Sequence, residues 1–472
     1  DKARPLRAIE YGRMVGGGSV HFTANYWRFH ESDFHERSLY GAVGGADLAD
    51  WPVTYADLEP YYTKAEYDLG ISGLAGANPF EAPRSKPYPL PPIPLKSSGV
   101  LFENATKKLG LHPFPAPVAI LSKPYQGRAA CVNCGFCEFF GCEMRAKSST
   151  LASVIPVAEK TGRCEIRPEC YVRKIETDDS GRATGAIYFD RNRREVFQRA
   201  KAIFLCANGV ESAKLLLISK SKRFPQGLAN SSGLVGTHLM WDNGVEVLGM
   251  FEHPLNEYKG IPVTSLIHDY YAADAQRGFF GGAGVDARFD FYPASFALSG
   301  LPPDAPRWGT DFKKTFEIYF TRTMSLLSHT TSLAQATNSI TLDPDVKDAW
   351  GLPAPRITFN YHPDDLATMK WILPKQVEIL ETAGAMKVWA LPYDVTDNMP
   401  SRHLTGTCRM GNDPASSVVN AFSRAHDVPN LFIADGSNLV TSGRQQPTAT
   451  IQALAYRAAD FAIQSAKRGE LR

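Results

Sequence analysis

Apolar residues at Ile451, Leu454, Ala455, Ala458, Phe461 and Ala462 recur at helical spacing, and Pro447 fits a first-turn position, so the chain is predicted to close with an amphipathic helix. A second helix is predicted from Tyr55 to Leu69, followed by a proline-rich stretch between Pro79 and Pro94 that favours an extended surface crossing. After Cys164 the period changes. Glu165–Arg167, Tyr171–Glu176 and Thr184–Phe189 alternate as the half-exposed strands of a meander do, broken by Asp-Asp-Ser-Gly at 178 to 181 and a charged turn near Arg191. Ala202–Ala207 is instead continuously apolar and runs into a helical segment ending near Leu217, the pattern of a buried parallel strand. From about 245 to 395, aromatic and β-branched segments such as Thr315–Thr321 and Arg356–Tyr361 stand between Gly, Pro and Asp turns, which suggests further strands.

Composition narrows the partners. The 472 residues allow two or three domain-sized units, and 44% hydrophobic with 21% charged residues is ordinary for a globular chain. With 51 basic against 49 acidic residues there is no global field to draw in nucleic acid or an anionic membrane, so a small molecule is the expected partner. No run reaches the roughly 18 apolar residues of a membrane span, so direct membrane insertion is not expected.

Two clusters carry chemistry. His403-Leu-Thr-Gly-Thr-Cys-Arg-Met-Gly411 is followed by an apolar strand ending in Asp435-Gly436-Ser437 and by the proline-led helix after Gln446. That order places an imidazole and a helix N-terminus at one end of a sheet, where an anionic cofactor can meet free N–H groups while the imidazole faces a substrate. The second cluster is Cys131-x2-Cys134-x2-Cys137-x4-Cys142, with Gly135 and Gly141 to bend the segment. Four thiolates so close can hold an iron–sulfur centre or zinc, or can pair as disulfides or stay free.

These C-terminal pieces resemble the glucose-methanol-choline (GMC) family of flavin oxidoreductases. Gly12-Arg-Met-Val-Gly-Gly-Gly-Ser-Val-His-Phe-Thr-Ala-Asn25 is similar to that family's glycine-rich loop beside the flavin, and Ala202–Leu217 is similar to a third family segment. Asp50–Tyr62 narrows the likeness to the branch of pyranose oxidases and bacterial sugar and gluconate dehydrogenase large subunits. The resemblance implies an α/β (α+β composite) chain, with a Rossmann-like FAD-binding domain in three pieces, 1–45, 151–244 and 399–472. A lid and cysteine-cluster insertion would occupy 46–150, and an antiparallel substrate domain 245–398. The Gly-x-Gly-x-x-Gly unit expected at the start of such a fold is not seen, so the chain reads as lacking the family's first βαβ unit.

For the site, the resemblance implies that His403 is the base that takes a hydroxyl proton while FAD takes the hydride. Gln446 stands where the branch has asparagine or histidine to hold the substrate oxygen, with one methylene more. Gly12, Arg13, Gly16, Gly17, Ser19, His21, Asn25, Asp435, Gly436, Pro447 and Thr448 are the expected flavin contacts. His21 is similar to the histidine through which pyranose oxidases attach flavin covalently; covalent and noncovalent binding both stay open. For Cys131, Cys134, Cys137 and Cys142 the resemblance favours iron–sulfur, a three-iron cluster over a four-iron one. It further implies a sugar, glycoside or sugar-acid substrate, a small chaperone-like subunit and a cytochrome c acceptor. The competing expectations are an oxygen-using, pyranose-oxidase-like enzyme and a catalytically silent scaffold. Periplasmic, membrane-associated and cytoplasmic locations all stay open.

Overall fold

The computed structural model describes residues 11–241, 243–392 and 402–471. The described residues include thirteen strands: β1 Phe114–Pro115, β2 Tyr171–Thr177, β3 Ala183–Phe189, β4 Glu195–Arg199, β5 Ile203–Leu205, β6 Glu246–Met250, β7 Val263–Ile267, β8 Ala283–Arg288, β9 Thr323–Thr330, β10 Ser339–Lys347, β11 Pro353–Thr358, β12 Lys387–Ala390 and β13 Leu431–Ile433. Six of them form an antiparallel sheet in the order β1-β7-β8-β9-β6-β12, beside a β2-β3-β4 meander, a β10-β11 hairpin and the parallel pair β13-β5. This is the mixed α/β class expected from the sequence.

The long sheet has two unlike faces, and register decides which side chain goes where. Pairing Asp286 with Leu327, Arg288 with Ser325, Gly284 with His329 and Glu246 with Leu327 puts one polar set on one face. The opposite face carries Val285, Ala287, Met324 and Leu326, all buried. The Pro363–Thr382 helix packs beside it, where Gln376 Nε2 donates to the carbonyls of Val245 and Leu326. The polar face is therefore turned to the remainder of the molecule, where β13 and the Thr448–Lys467 helix lie.

Several expectations hold in detail. The Tyr55–Leu69 helix starts at a Thr54–Asp57 capping box and stops at Gly70, whose φ of 79° is left-handed. The apolar stretch from Ile203 forms a parallel strand with β13 and leads into the Asn208–Ile218 helix, but it is not the buried strand expected: Leu205 is buried, Ile203 partly so, and Phe204 is exposed.

Two further expectations fail. Thr315–Thr321 lies inside the Gly309–Arg322 helix, because Phe312, Phe316 and Phe320 share an i, i+4 stripe that packs on Phe289 and Phe296. Glu165–Arg167 is no strand: Arg167 turns back to ion-pair with Glu165 at 2.7 Å and reaches Gln198 on β4, itself a strand the pattern did not suggest.

Candidate active site

The His403–Gly411 loop is fixed by its backbone. Gly406, Cys408 and Met410 donate N–H bonds to the carbonyls of Gly436, Ser437 and Asn438, while Thr405 and Met240 exchange both of theirs. Gly406 is required here, since its φ is 89° and a Cβ would fall 2.2 Å from the His238 carbonyl oxygen. His403, half-buried, has a left-handed φ of 54° and leaves the loop toward the polar face of the sheet. Its ring centroid lies 6.1 Å from that of His329 on β9.

Gln446 arrives at the same place from the other side. The segment before the last helix is anchored residue by residue: Arg444 pairs with Asp33 at 3.3 Å and with Glu36 at 2.7 Å, and Gln445 Nε2 donates to the Arg28 carbonyl. Gly284 lets this segment approach the sheet, because a Cβ there would stand 3.0 Å from the Arg444 carbonyl oxygen. Gln446 then places its amide nitrogen 2.7 Å from His329 Nε2. That same nitrogen of His329 is 3.2 Å from Asp286 Oδ2 and 3.2 Å from a terminal nitrogen of Arg288. Burial pushes Asp286 up, but the Arg288 guanidinium and the hydrogen bonds from His329 and Arg288 outweigh it and hold the carboxyl below its usual range. Trp27 stands edge-on to His329 at 6.0 Å and to His268 at 6.3 Å, closing the site on the N-terminal side. His268 is kept neutral by burial and by the neighbouring imidazoles of His30 and His329.

The expected catalytic pair, His403 and Gln446, is thus brought together. His329, Asp286 and Arg288 were not foreseen. Their sequence signal is weak: Asp286 and Arg288 alternate with apolar residues on β8, but on β9 Ser325 and His329 share their face with Leu327, and Thr323, Ser328 and Thr330 blur the pattern.

The expected flavin contacts are more dispersed. Gly12 packs on His21, whose Nε2 would lie 3.1 Å from a Cβ at position 12. Gly16 and Gly17 have φ of 96° and 59°, and Ser19 Oγ bonds the Gly16 carbonyl and takes the N–H of Thr150, so it braces the loop. Arg13 is exposed and lines a cavity of about 300 Å³ with Tyr11, Tyr171, Glu211 and Lys214. Asp435 is held within the protein, taking hydrogen bonds from Asn208 N, Ser212 Oγ and Ser437 N, with Gly436 next to it starting a 3-10 turn. Pro447 caps the Thr448–Lys467 helix without a side-chain bond to its first N–H groups, which leaves a positive helix end beside Gln446. Asn25 is the clearest candidate for a cofactor contact: it is buried, and among the described residues neither amide atom has a hydrogen-bond partner. Leaving such a group unpaired costs about 1–3 kcal/mol, which the polar edge of a flavin would offset, so these residues fit FAD.

The cysteine segment is close by. All four thiols are free; Cys137 is buried, Cys134 exposed, and Cys131 and Cys142 lie between. Burial pushes Cys137 up to about 12, and the three neighbouring thiols add to the shift while Lys147 opposes it. Lys147 is itself buried and donates to the carbonyls of Phe22, Cys137 and Phe140; burial brings it down to about 8. Backbone N–H groups of Asn133 and Lys147 point at Cys131 Sγ and Cys142 Sγ. Among the described residues, no three His, Cys, Asp or Glu side chains converge on a point that would suit a metal ion, so the segment does not present a closed ligand set. A salt bridge of 2.9 Å from Arg402 to Glu138 ties it to the start of the His403–Gly411 loop.

An imidazole, an amide and a helix N-terminus around one sheet face are an arrangement that suits an oxidoreductase of the flavin type. Family comparison agrees: N- and C-terminal profiles of GMC oxidoreductase match residues 3–239 and 334–455. The 2-methyl-1,2-propanediol dehydrogenase of Mycolicibacterium austroafricanum is 35% identical over 95% of this chain and 80% of its own length. The fructose dehydrogenase large subunit of Gluconobacter japonicus is 31% identical over 96% of this chain and 81% of its own. Pyridoxine 4-oxidase from Mesorbium loti shares the fold with a TM-score of 0.63 at 18% identity, covering 95% of this chain and 84% of that one. The chain belongs to the GMC oxidoreductase family and is an FAD-dependent oxidoreductase of CH–OH groups. Among the described residues no helix is long and apolar enough to cross a membrane.

Proposed function

We propose that this protein is a dehydrogenase of a small polyol, sugar or sugar acid, in which His403 takes the proton from the substrate hydroxyl and Gln446 holds the hydroxyl oxygen. The observation that carries this reading is the meeting of His403 with the Gln446–His329 pair, two imidazole centroids 6.1 Å apart at one end of the substrate sheet. A hydroxyl group between them would meet a base on one side and a hydrogen-bonding amide on the other. FAD, when bound, supplies the hydride acceptor at N5. The diol and ketose named for the two relatives both have a carbinol beside further hydroxyls, which is the substrate chemistry we extend to this chain.

The test is anaerobic stopped-flow reduction of the FAD-loaded protein by diols, ketoses and aldonates. Bleaching by one of them is expected, and His403→Ala should slow it about 10²- to 10⁴-fold with FAD retained. No bleaching by any would instead mark a silent family member.

We further propose that Cys131, Cys134, Cys137 and Cys142 hold an iron–sulfur centre and that electrons leave at this face to a cytochrome c, with a small chaperone-like subunit assisting. The sequence spacing of the four cysteines supports it, as do the backbone N–H groups pointed at two of their sulfurs, although the thiols do not converge on one point. Iron and acid-labile sulfide in purified protein are the expected result. Stoichiometric peroxide from an iron-free protein would favour an oxygen-using enzyme.

A further inference from the structure

Nothing in the acid–base role of His403 explains why a second buried histidine, His329, stands on β9 with three side chains crowded on its Nε2. We propose that His329 is a positioning residue, which with Asp286 fixes the amide of Gln446 against the substrate hydroxyl. The inference rests on the reading of the site given above and concerns how one of its residues is aimed.

The geometry is specific. Gln446 Nε2, Asp286 Oδ2 and Arg288 NH2 approach His329 Nε2 at 2.7, 3.2 and 3.2 Å, and all four side chains are buried. A glutamine amide has three side-chain torsions, so without a bond at its tip it would sample several positions. Bonding one amide atom to His329 fixes the plane of the amide and with it the direction of the other. His329 is in turn prevented from rotating. Asp286 is locked by Arg288, whose Nε and terminal nitrogen bond its two oxygens at 2.6 and 2.7 Å, and Asp290 holds the other side of the guanidinium at 3.2 Å. The aim of Gln446 is therefore set by the register of β8 against β9, which places the Asp286–Arg288 pair next to His329. Whichever nitrogen of His329 carries the proton, the contact with Gln446 can form, as donor to the amide oxygen or acceptor from the amide N–H.

The test is a double-mutant cycle in the FAD-loaded, full-length protein, read as flavin reduction at saturating substrate. His329→Leu should slow reduction by about tenfold to a hundredfold, the scale of misplacing a group by an ångström. In a Gln446→Leu background the same change should cost less than about twofold, because a residue acting only through Gln446 has nothing left to position. His329→Asn, which keeps a hydrogen-bonding group on β9, should recover part of the rate and serves as the readout if the leucine variant does not fold. Equal losses in both backgrounds, or a wild-type rate for His329→Leu, would overturn the inference. A wild-type protein whose flavin no alcohol bleaches would instead remove the functional reading on which it stands.

Discussion

The wall formed by the polar face of the long sheet and the cysteine segment beside it are built in opposite ways. On the wall, regular strands carry side chains that bond to one another: Asp286 to Arg288, His329 to Asp286, Gln446 to His329. In the cysteine segment no regular element runs from 129 to 146, and the backbone curls through left-handed conformations at Asn133, Gly135, Phe139 and Arg145. Gly135 serves close approach, since a Cβ there would lie 2.2 Å from the Tyr258 carbonyl oxygen. The curls are gathered by one buried cation, Lys147, acting on three carbonyls, and the segment exposes Val132, Phe136, Phe139, Phe140 and Met144. A site whose side chains restrain one another is preorganised for a fixed reacting geometry. A segment held through its backbone leaves Cys134 and its apolar rim turned outward, with Cys137 buried beneath them.

The sharpest way to break this contrast is at Arg288. It is buried between Asp286 and Asp290, so Arg288→Leu leaves two buried carboxylates without their cation, a change that costs about 3–5 kcal/mol. Urea unfolding should show that loss, and alcohol-dependent flavin reduction should fall with it. A loss below about 1 kcal/mol would mean that the wall is not built on this pair.

How much of this was legible depends on what each residue's role requires. The His403 loop, the Asp435-Gly436 strand end and the Gln446–Pro447 helix entry are contiguous motifs, and the structure joins the first two through backbone bonds from 406, 408 and 410 to 436–438. The cysteine spacing was legible for the same reason. His329, Asp286 and Arg288 were not, because their meeting depends on the register of two strands some forty residues apart, which no local pattern encodes. The Gly309–Arg322 helix was misread because Thr315-Phe-Glu-Ile-Tyr-Phe-Thr alternates locally while its aromatic stripe has the helical period. Asn25 was placed beside the flavin by resemblance alone; its buried, unpartnered amide is a structural observation that sequence could not supply.

On the cysteine side the corresponding variant is Lys147→Met, which removes the donor from three carbonyls while keeping the length of the stem. Stranding buried carbonyls should cost about 1–3 kcal/mol. Because the bonds gather one segment, the loss should be local. Hydrogen exchange at the amides of Phe139 and Lys147, which bond the His21 carbonyl and Cys142 Sγ, should speed up by about tenfold to a hundredfold. Protection in β8 and β9 should hold. Uniform loss of protection across both regions would show that wall and segment are one cooperative unit and that the contrast is only one of appearance.

The last effect expected lies within the wall, at Glu246, which has no salt bridge among the described residues and feels Arg288 and Arg402 only at longer range. Glu246 on β6 shares the polar face with Asp286, yet its Oε1 is buried with no hydrogen-bond partner. Burial, with repulsion from Asp290 added, raises Glu246 from 4.5 to about 7, whereas Asp286 is held down by Arg288. A carboxyl raised on folding binds its proton more tightly in the native state, so its contribution is most favourable below the unfolded value of 4.5. That contribution is lost as the pH climbs toward 7 and is constant above it. Glu246→Gln removes this titration, and a neutral amide suits the site at neutral pH. The variant should therefore be more stable than the parent at pH 8, by about 1–3 kcal/mol, with the gain shrinking toward nothing near pH 4.5. Urea midpoints of both proteins between pH 4.5 and 8 measure it, and a gain that grows as the pH falls would show that Glu246 is ionised and paired in the native wall.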